Sequence, residues 1–450
     1  MAQGRDAAGT LDVTHGVIWR QLMALCVPIF ISSFCQQAYN LINTFVVGRF
    51  GGALALGAIQ STMVLGDLCI GFSLGVGSGC AVITGQFFGA GDERHLCQAV
   101  HTAMALSLVM GLLFSVVGIT CIEGLLAFLS TPAALMGEAS VYGRFYFGGL
   151  LFMLVYNMGA GVLRAVGDAR TPSRIVMATC AVNIAFDLLL VAWLRLDALG
   201  CGIATAISSA LSAVLVFARL MRVDAGWRLD VRRLRIVPEI AWPMLKTGLP
   251  LGIQSSIYSV SNLIVQSTVN SFGASAVAGW GLSRRIDGIT WLCSDALGVA
   301  VTTFAAQNYG ARNYERMRRG LRTSLAITTI VIGGISAVIF LSVEVLAGVF
   351  ISDPEVIKDA SLMLRFIAPL AVAYSLSDNV AGVIRGTGES LRPMLLTVVG
   401  TCVFRVIWLL TVVPVHHTLP MVMMSYPVTW TLTGILFVIY YRWGGWLRRA

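Results

Sequence analysis

The sequence predicts an all-α polytopic membrane protein, and three observations lead to this fold class. Hydrophobic residues make up 57% of the 450 residues and charged residues only 12%, and the mean hydropathy is +0.82, values far from those of soluble domains. Apolar segments long enough to cross about 30 Å of hydrocarbon recur along nearly the whole chain. These segments lack strand-like alternation of polar and apolar residues, so we expect helices rather than a barrel.

Twelve apolar segments of spanning length follow one another, separated by short polar connections. Each reaches roughly the 20 residues that a helix needs to cross the hydrocarbon. We place the spans at residues 17–47, 54–83, 96–122, 138–163, 172–194, 198–220, 242–270, 276–306, 321–348, 356–384, 392–414 and 420–441.

The net charge of +9 could indicate a nucleic-acid partner, but the positions of the basic residues argue against it. Most of the 31 Lys and Arg residues lie at the termini or in even-numbered connections, whereas the odd-numbered connections hold only Arg49, Arg195 and Lys358. This asymmetry follows the positive-inside rule and predicts a multi-pass protein of the cell inner (cytoplasmic) membrane with both termini in the cytoplasm. We expect no nucleic-acid partner, and no cleaved signal peptide, because the first apolar segment continues to spanning length.

An internal repeat relates the two halves of the chain at a shift of 221 or 222 residues. NLINTFVVGRFGG at 40 aligns with NLIVQSTVNSFGA at 262, GQFFGAGD at 85 with AQNYGARN at 306, and GVLRAVGDARTP at 161 with GVIRGTGESLRP at 382. Each repeat holds six spans, an even number, so we expect a pseudo-twofold axis along the membrane normal. The predicted divisions are a cytoplasmic tail at 1–16, a six-helix lobe at 17–222, a basic cytoplasmic linker at 223–241, a second six-helix lobe at 242–441 and a cytoplasmic tail at 442–450.

A carboxylate interrupts the fifth span, CAVNIAFDLLLVAWL at 180–194. A charge at the centre of a spanning helix costs about 2.5–3.5 kcal/mol on insertion scales, so Asp187 needs a partner or a function. Asn183 lies one turn earlier on the same helical face and offers an amide oxygen. The alternatives are a buried ion pair or a residue in a water-filled lumen.

Two further residues lie at a predicted depth in the membrane similar to that of Asp187. By helix rise, Asp187 and Asn183 lie roughly 10–17 Å below the outer surface, and Thr205 and Asn43 lie at about 8–11 Å. These four oxygen-bearing side chains form a candidate cation-coupling site. Oxygen ligands suit Na⁺, which makes Asp187 the candidate metal ligand, and burial in lipid would instead favour a protonated carboxyl.

The C-terminal repeat does not carry this pattern. The positions equivalent to Asn183 and Asp187 are Phe404 and Trp408, and Arg405 lies beside them. We therefore expect the coupling chemistry in the N-terminal lobe alone.

The order of these motifs resembles that of the multidrug and toxic compound extrusion (MATE) family, in its DinF-like or NorM-like bacterial or archaeal branch. The resemblance rests on Pro28, then YNLINTFVVGRFGG, GQFFGAGD and GVLRAVGDARTP followed by Asn183 and Asp187, and it covers essentially residues 17–441. It implies a secondary antiporter that expels cationic, often aromatic compounds against inward Na⁺ or H⁺ flow. No cofactor is implied beyond the coupling ion, and the expected partners are a cationic small molecule and the lipid bilayer, with the protein a monomer.

The resemblance also implies roles for particular residues. The archaeal and DinF-like branch has its coupling site at positions that match Asn43, Asn183, Asp187 and Thr205, and its cavity includes positions that match Tyr142 and Asn157. The position of Asn43 is often Asp in that branch, so this chain carries one formal negative charge where relatives carry two.

Other residues are candidates for a cavity or a hinge. Aromatic and Met side chains can line a cavity for flat cations, or can face lipid and core. Pro28 could kink the first helix and allow it to bend, or could serve structure alone. The cavity candidates of this kind are Met153, Tyr156, Tyr258 and Trp280.

Further acidic residues lie within the spans. Asp378 aligns with Asn157 and is either a second cation site or the partner of a neighbouring Arg. Asp67 and Asp295 lie near mid-span and are also second-site candidates, because unpaired acids in a membrane are commonly functional. For Asp287, which follows Arg284 by three residues, we expect a local ion pair.

Two Glu–Arg pairs repeat between the halves. Glu123 precedes Arg144, and Glu344 precedes Arg365, each by 21 residues across a helical hairpin. This spacing predicts two equivalent interhelical salt bridges. The glycines at 71, 75, 77 and 79 lack the strand and the Gly-Lys-Ser of a phosphate loop, so we expect close helix packing there.

The sequence fits three candidate functions to different degrees. A cation-coupled exporter fits the acidic patch at Asp187. A lipid-linked oligosaccharide flippase of the same superfamily is the alternative, since Arg284, Arg285 and Arg405 could hold an anionic pyrophosphate. An enzyme finds no support, because the sequence has no zinc motif, nucleophile elbow or cysteine–histidine pair.

Overall fold

The computed structural model describes residues 10–445, except for the side chains of Ala53, Val64 and Asp67. Within this part of the chain it contains twelve membrane-length helices, which confirms the predicted all-α class. Their bounds are α1 (Ile18–Gly51), α2 (Gly52–Gly89), α3 (Glu93–Phe128), α4 (Ala133–Ala165), α5 (Arg170–Trp193), α6 (Asp197–Met221), α7 (Pro238–Asn270), α8 (Ala274–Gly310), α9 (Tyr314–Phe350), α10 (Pro354–Gly386), α11 (Leu391–Val415) and α12 (Leu419–Trp443).

Ten of the helices in the described residues are long and apolar enough to cross a membrane by length and composition. The other two, α7 and α10, have 33 residues each and are therefore long enough, but neither contains a sufficiently apolar stretch. Both contain internal prolines, Pro243 and Pro250 in α7 and Pro369 in α10. Prolines are tolerated in spanning helices because neighbouring groups satisfy the backbone carbonyls that they leave free.

The twelve helices form two compact units. Unit 1 contains the described residues up to Asp12 and Val27–Gly252, and unit 2 contains Val13–Cys26 and the described residues from Ile253 onward. The helices α1 and α7 are therefore each divided between the two units: the first part of α1 packs with unit 2, and the first part of α7 packs with unit 1.

The main core of unit 1 joins α2, α3, α4 and α6 to the first part of α7. Met104, Met158, Val216 and Met244 are fully buried in it. The glycines of α2 permit one close crossing in this unit: a Cβ on Gly79 would lie 2.3 Å from the carbonyl oxygen of Met244. The prediction that these glycines serve helix packing is confirmed at this position.

The basic linker between α6 and α7 is held on α3. The backbone N–H of Asp230 donates to Nε2 of His101 (3.0 Å), and the N–H of Val237 donates to Oγ1 of Thr102 (3.2 Å). Trp227 is buried in the same place. The linker arginines remain exposed, as the polar sequence predicts, and they are Arg228, Arg232, Arg233 and Arg235.

Unit 2 has its main core among α7, α8, α10, α11 and α12, and aromatic residues dominate it. The segment before α1 and the first turn of α1 are fixed to this unit by side chains of α8 and α9. The N–H of Val13 donates to Oε1 of Gln307 (3.0 Å), and Nη2 of Arg316 donates to Oε1 of Gln21 (2.7 Å).

The two predicted salt bridges are confirmed, one in each unit. Nη2 of Arg144 lies 2.7 Å from Oε1 of Glu123, and Nη2 of Arg365 lies 2.9 Å from Oε1 of Glu344. All four side chains are more than half exposed. These bridges tie α3 to α4 and α9 to α10 at matching positions of the repeat.

Short π-helical turns widen three of the helices. They occupy Val47–Gly51 of α1, Leu188–Trp193 of α5 and Val398–Val403 of α11. The turn in α5 begins directly after Asp187, whereas the turn in α11 ends directly before Phe404. Such turns occur frequently at functional sites, and here they lie next to the charged segments of both helices.

Candidate functional site

Asp187 is a fully buried carboxylate without a partner. Its exposed fraction is 0%, and neither carboxylate oxygen accepts a hydrogen bond from any residue that the structure describes. It forms no ion pair within the same part of the chain. Removing a carboxylate from water without compensation costs several kcal/mol, so the neutral acid or a bound cation is favoured at this position.

Asn183 adds a third free acceptor to the site. Its Nδ2 donates to Oγ of Ser208 (2.8 Å), which fixes the orientation of the amide. Oδ1 of Asn183 is buried and has no hydrogen-bond partner among the described residues. The face of α5 that contains Asn183 and Asp187 therefore presents oxygen acceptors and no donor.

Asn43 and Thr205 lie in the same place, as the sequence predicts. Sγ of Cys201 donates to Oδ1 of Asn43 (3.3 Å), and Cys201 lies beside Asp187 and Thr205. The structure thus brings the four predicted coupling residues together from α1, α5 and α6, within unit 1.

Tyr39 also belongs to this site and was missed by the sequence analysis. It lies beside Asn43, Thr205 and Asp187. The signal was available, because Tyr39 precedes Asn43 by four residues and so shares its helical face. Its hydroxyl could donate to a carboxylate or ligate a cation through oxygen.

The chemistry of this group suits a proton or a small hard cation. Carboxylate, amide and hydroxyl oxygens are the ligands that such cations prefer. No cluster of three or more His, Cys, Asp or Glu side chains that could hold a metal ion occurs in residues 10–445 as described. One formal charge at Asp187 matches one monovalent cation or one proton.

The predicted cavity residues of unit 1 have different surroundings. Tyr142 is buried, 2% exposed, and lies beside Cys201 and Asp187, so it borders the predicted coupling residues. Met153 and Asn157 are half-buried on α4. Tyr156 is engaged in helix packing, because its hydroxyl donates to the carbonyl of Pro172 (3.1 Å).

Pro28 lies inside α1, close to the point at which that helix passes from unit 2 to unit 1. Its carbonyl accepts a hydrogen bond from Oγ of Ser173 on α5 (2.7 Å). A proline removes one backbone hydrogen bond of the helix, so α1 is weakened there while Ser173 links it to the helix that contains Asp187.

Asp378 of unit 2 is paired, unlike Asp187. Asp378 accepts from Nη2 of Arg385 at 3.0 Å, with side chains 20% and 12% exposed, which confirms the ion-pair alternative for this residue. Asp295 is exposed and lies beside Asp378 and Arg385. The side chain of Asp67, the remaining second-site candidate, lies outside the described residues.

The ion pair predicted between Asp287 and Arg284 is wrong. Oδ2 of Asp287 instead accepts from Nε1 of Trp291 (2.7 Å), one turn later on α8. Asp287 is buried and Arg284 is exposed. The long basic side chain can reach solvent, whereas the short buried acid is satisfied by a neutral donor on its own helix.

Tyr258 and Trp280, the last two cavity candidates, lie in unit 2. Trp280 packs against Tyr426, with ring centroids 5.8 Å apart. Tyr258 lies beside Tyr374 and Arg405. They contribute to an aromatic group in unit 2.

A family model described as MatE matches residues 28–189 and 250–410. These two matched segments correspond to the two repeats.

Similar proteins cover nearly the whole chain. "Probable multidrug resistance protein YoeA" of Bacillus subtilis (strain 168) is 26% identical over 388 residues, 85% of this chain and 84% of that protein. An "FAD transporter" of Shewanella oneidensis is 25% identical over 407 residues, 88% of this chain and 87% of that protein. A solved structure of a multidrug resistance MATE family transporter in an outward-facing conformation has a TM-score of 0.91 at 21% identity, covering 99% of this chain and 100% of that one. The two-repeat, twelve-helix fold is the same.

Proposed function

The chain belongs to the MatE family of multidrug efflux transporters, and from this premise we propose that it is a secondary antiporter that exports cationic or amphipathic drugs or toxic metabolites in exchange for Na⁺ or H⁺. It is a transporter and not an enzyme. The observation that supports the exchange is the buried carboxylate of Asp187, which has no partner in the described residues and lies among oxygen acceptors. The flippase alternative is not favoured by the similar proteins.

Exchange follows if the coupling ion and the cargo compete for one state of the protein. A ligand shifts a conformational equilibrium only by its differential affinity for the two states. An ion or proton on Asp187 neutralises the buried charge and stabilises the arrangement of unit 1 in which Asp187 is 0% exposed. Loss of that ion leaves an uncompensated carboxylate, which favours an arrangement open to water or to a positively charged cargo.

The membrane potential supplies the driving force. One monovalent cation moving inward gains about 2.3 kcal/mol per 100 mV, so one or two ions per cycle support uphill export. We place both termini in the cytoplasm, because the basic residues concentrate in the even-numbered connections. The protein would act as a monomer in the cell inner membrane.

Pro28 is the proposed hinge of this cycle. The hydrogen bond from Ser173 to the Pro28 carbonyl links the weakened turn of α1 to α5. A change of charge at Asp187, further along α5, would thereby alter the bending of α1 at Pro28. Tyr142, Met153 and Asn157 remain proposed cavity residues.

The test is efflux of a cationic dye from proteoliposomes under a Na⁺ gradient and, separately, a pH gradient. We expect Asp187→Asn to reduce gradient-driven efflux about 100-fold, because an amide neither binds a proton nor provides a negative ligand; this corresponds to about 2.7 kcal/mol. The gradient that accelerates wild-type efflux identifies the coupling ion.

The matched control is Asp378→Asn, which removes an intramembrane acid that is paired with Arg385. We expect this variant to retain efflux within tenfold of the wild type. Wild-type rates in Asp187→Asn, under both gradients, would exclude Asp187 as the coupling residue.

A further inference from the structure

An aromatic cluster fills the middle of unit 2. It consists of side chains from α8, α10 and α12 whose ring centroids lie 4.8–5.8 Å apart. Most contacts are edge-to-face or tilted, the arrangements that aromatic pairs prefer. Its members are Trp280, Trp291, Tyr374, Tyr426 and Trp430.

Arg405 of α11 is buried against this cluster. Its exposed fraction is 1%, and its guanidinium carbon lies 4.0 Å from the centroid of the Tyr426 ring. Its Nε and Nη2 donate to no atom of the described residues, and it forms no ion pair within them. A cation–π contact returns only about 2 kcal/mol when desolvated, which is less than the desolvation cost of a guanidinium.

Two neighbouring donors are also unsatisfied. Nε1 of Trp280 and the hydroxyl of Tyr258 are buried, and neither meets hydrogen-bond geometry with a described residue, although the hydroxyls of Tyr374 and Thr401 lie close to that of Tyr258. Tyr258 lies beside Arg405, and Trp280 packs on Tyr426. Unsatisfied N–H or O–H donors therefore occur on three side chains around the aromatic cluster, and buried donors of this kind are normally paired.

Asp287, an acid beside the cluster, forms no salt bridge with Arg405. Asp287 makes its hydrogen bond to Trp291 instead (2.7 Å) and forms no salt bridge with a described residue. Arg405 thus keeps an unpaired positive charge and free donors, with aromatic rings beside it. This is the chemistry of a site for an anion attached to a flat ring.

We propose that Arg405, with Tyr258 and Trp280, binds the carboxylate or phosphate group of an aromatic cargo. The planar guanidinium can hold two oxygens of such a group at once, and the rings of Tyr374 and Trp291, both half-buried, provide a surface for the aromatic part. The inference deepens the proposed function, since it assigns to the exporter cargoes that carry an acidic group as well as cationic ones.

The test compares two flavins that differ only by a phosphate, flavin mononucleotide and riboflavin, by fluorescence anisotropy with the purified protein in detergent. We expect the wild type to bind flavin mononucleotide about tenfold or more tightly, as a charge-assisted hydrogen bond requires. Arg405→Met should bind both flavins with the affinity that the wild type has for riboflavin. Unchanged riboflavin binding shows that the variant is folded, and Arg405→Lys, which keeps the charge, should retain part of the preference.

Equal affinities of the wild type for the two flavins, or a full preference in Arg405→Met, would overturn the proposal. A lipid headgroup is the other possible source of a phosphate, so the measurement is repeated in nanodiscs of phosphatidylcholine with and without phosphatidylglycerol. Loss of the preference when phosphatidylglycerol is present would assign the site to lipid and not to cargo. Asp187→Asn should keep the preference, because binding requires no ion gradient, so failure of the coupling proposal leaves this result intact.

Discussion

The two units have the same fold but opposite unsatisfied charges. In unit 1, α5 buries Asp187, and the free groups around it are acceptor oxygens. In unit 2, the repeat-related helix α11 buries Arg405, and the free groups around it are mainly donors. Neither charge is paired within the described residues. The two repeats therefore share their helices but differ in their polar centres, one suited to a cation and the other to an anion.

Features that stabilise the helices were retained in both copies. The Glu123–Arg144 and Glu344–Arg365 bridges occur at equivalent positions. The equivalent residues Asp92 and Asn313 both cap a helix, α3 and α9, by accepting a backbone N–H. A paired or capped group supports the fold of either unit, whereas the buried charges of Asp187 and Arg405 have no counterpart at the equivalent positions of the other unit.

We expect the largest difference in stability between variants of Asp187 and variants of Asp378. Asp187→Leu removes an unpaired buried charge and should stabilise the protein by about 1–3 kcal/mol. Asp378→Leu leaves Arg385 unpaired and should destabilise it by about 3 kcal/mol. Apparent melting temperatures in detergent, followed by tryptophan fluorescence, should therefore move in opposite directions.

A double variant checks the cause of that difference. Asp378→Leu with Arg385→Met removes both members of the pair and should recover most of the lost stability, because no buried charge remains. Equal destabilisation by Asp187→Leu and Asp378→Leu would show that Asp187 is compensated as well, and the contrast between the units would disappear.

The sequence was sufficient for the fold and for one of the two polar centres. Hydropathy and the repeat predicted twelve helices, because spanning a membrane requires long apolar segments. Asp187 was recognised because a lone carboxylate in an apolar run is conspicuous. Tyr39 was overlooked, since a tyrosine in such a run is ordinary until its neighbours are known.

The sequence was insufficient where contacts between helices decide the outcome. Arg405 was noted only as a possible pyrophosphate ligand, because its burial against Tyr426 depends on how α11 packs on α12. The partner of Asp287 was predicted wrongly, since spacing along a helix offers both Arg284 and Trp291 and only the fold places Arg284 outside. Local spacing fixes which residues can meet, and packing determines which of them do.

A second, smaller contrast concerns how tightly the helices cross. In unit 1, a Cβ on Gly79 would lie 2.3 Å from a backbone oxygen of α7, whereas a Cβ on Gly77 would meet nothing closer than 3.6 Å. We expect Gly79→Ala to destabilise the protein by about 1–3 kcal/mol through overpacking. Gly77→Ala, two residues away on the same helix, should be neutral or should stabilise by up to about 1 kcal/mol through helix propensity.

The equivalent position in unit 2 provides a control, and the shift in melting temperature is the measurement for both units. The position equivalent to Gly79 is Ala300, which is fully buried, so the corresponding part of α8 already accommodates a methyl group. Ala300→Gly should cost about 1 kcal/mol in helix propensity and packing. If Gly79→Ala is tolerated as well as Gly77→Ala, the close crossing is not a specific requirement of unit 1.

The smallest expected effect lies at the two equivalent helix caps. The backbone N–H of His95 donates to Asp92 (3.0 Å), and this bond, with a further one from the His95 side chain, holds the pKa of Asp92 below its ordinary value. A carboxyl whose folded pKa is depressed stabilises the fold above its unfolded pKa of about 3.9, and that stabilisation is lost as the pH falls through the folded value. Asn313, which caps α9 through the N–H of Arg316 (3.3 Å), has no proton to gain.

The melting temperature of the wild type should therefore exceed that of Asp92→Asn at pH 6–7 by a margin that vanishes in acid. Asn313→Asp should give unit 2 the same pH dependence, and a margin independent of pH would mean that the charge of Asp92 contributes nothing that an amide cap does not.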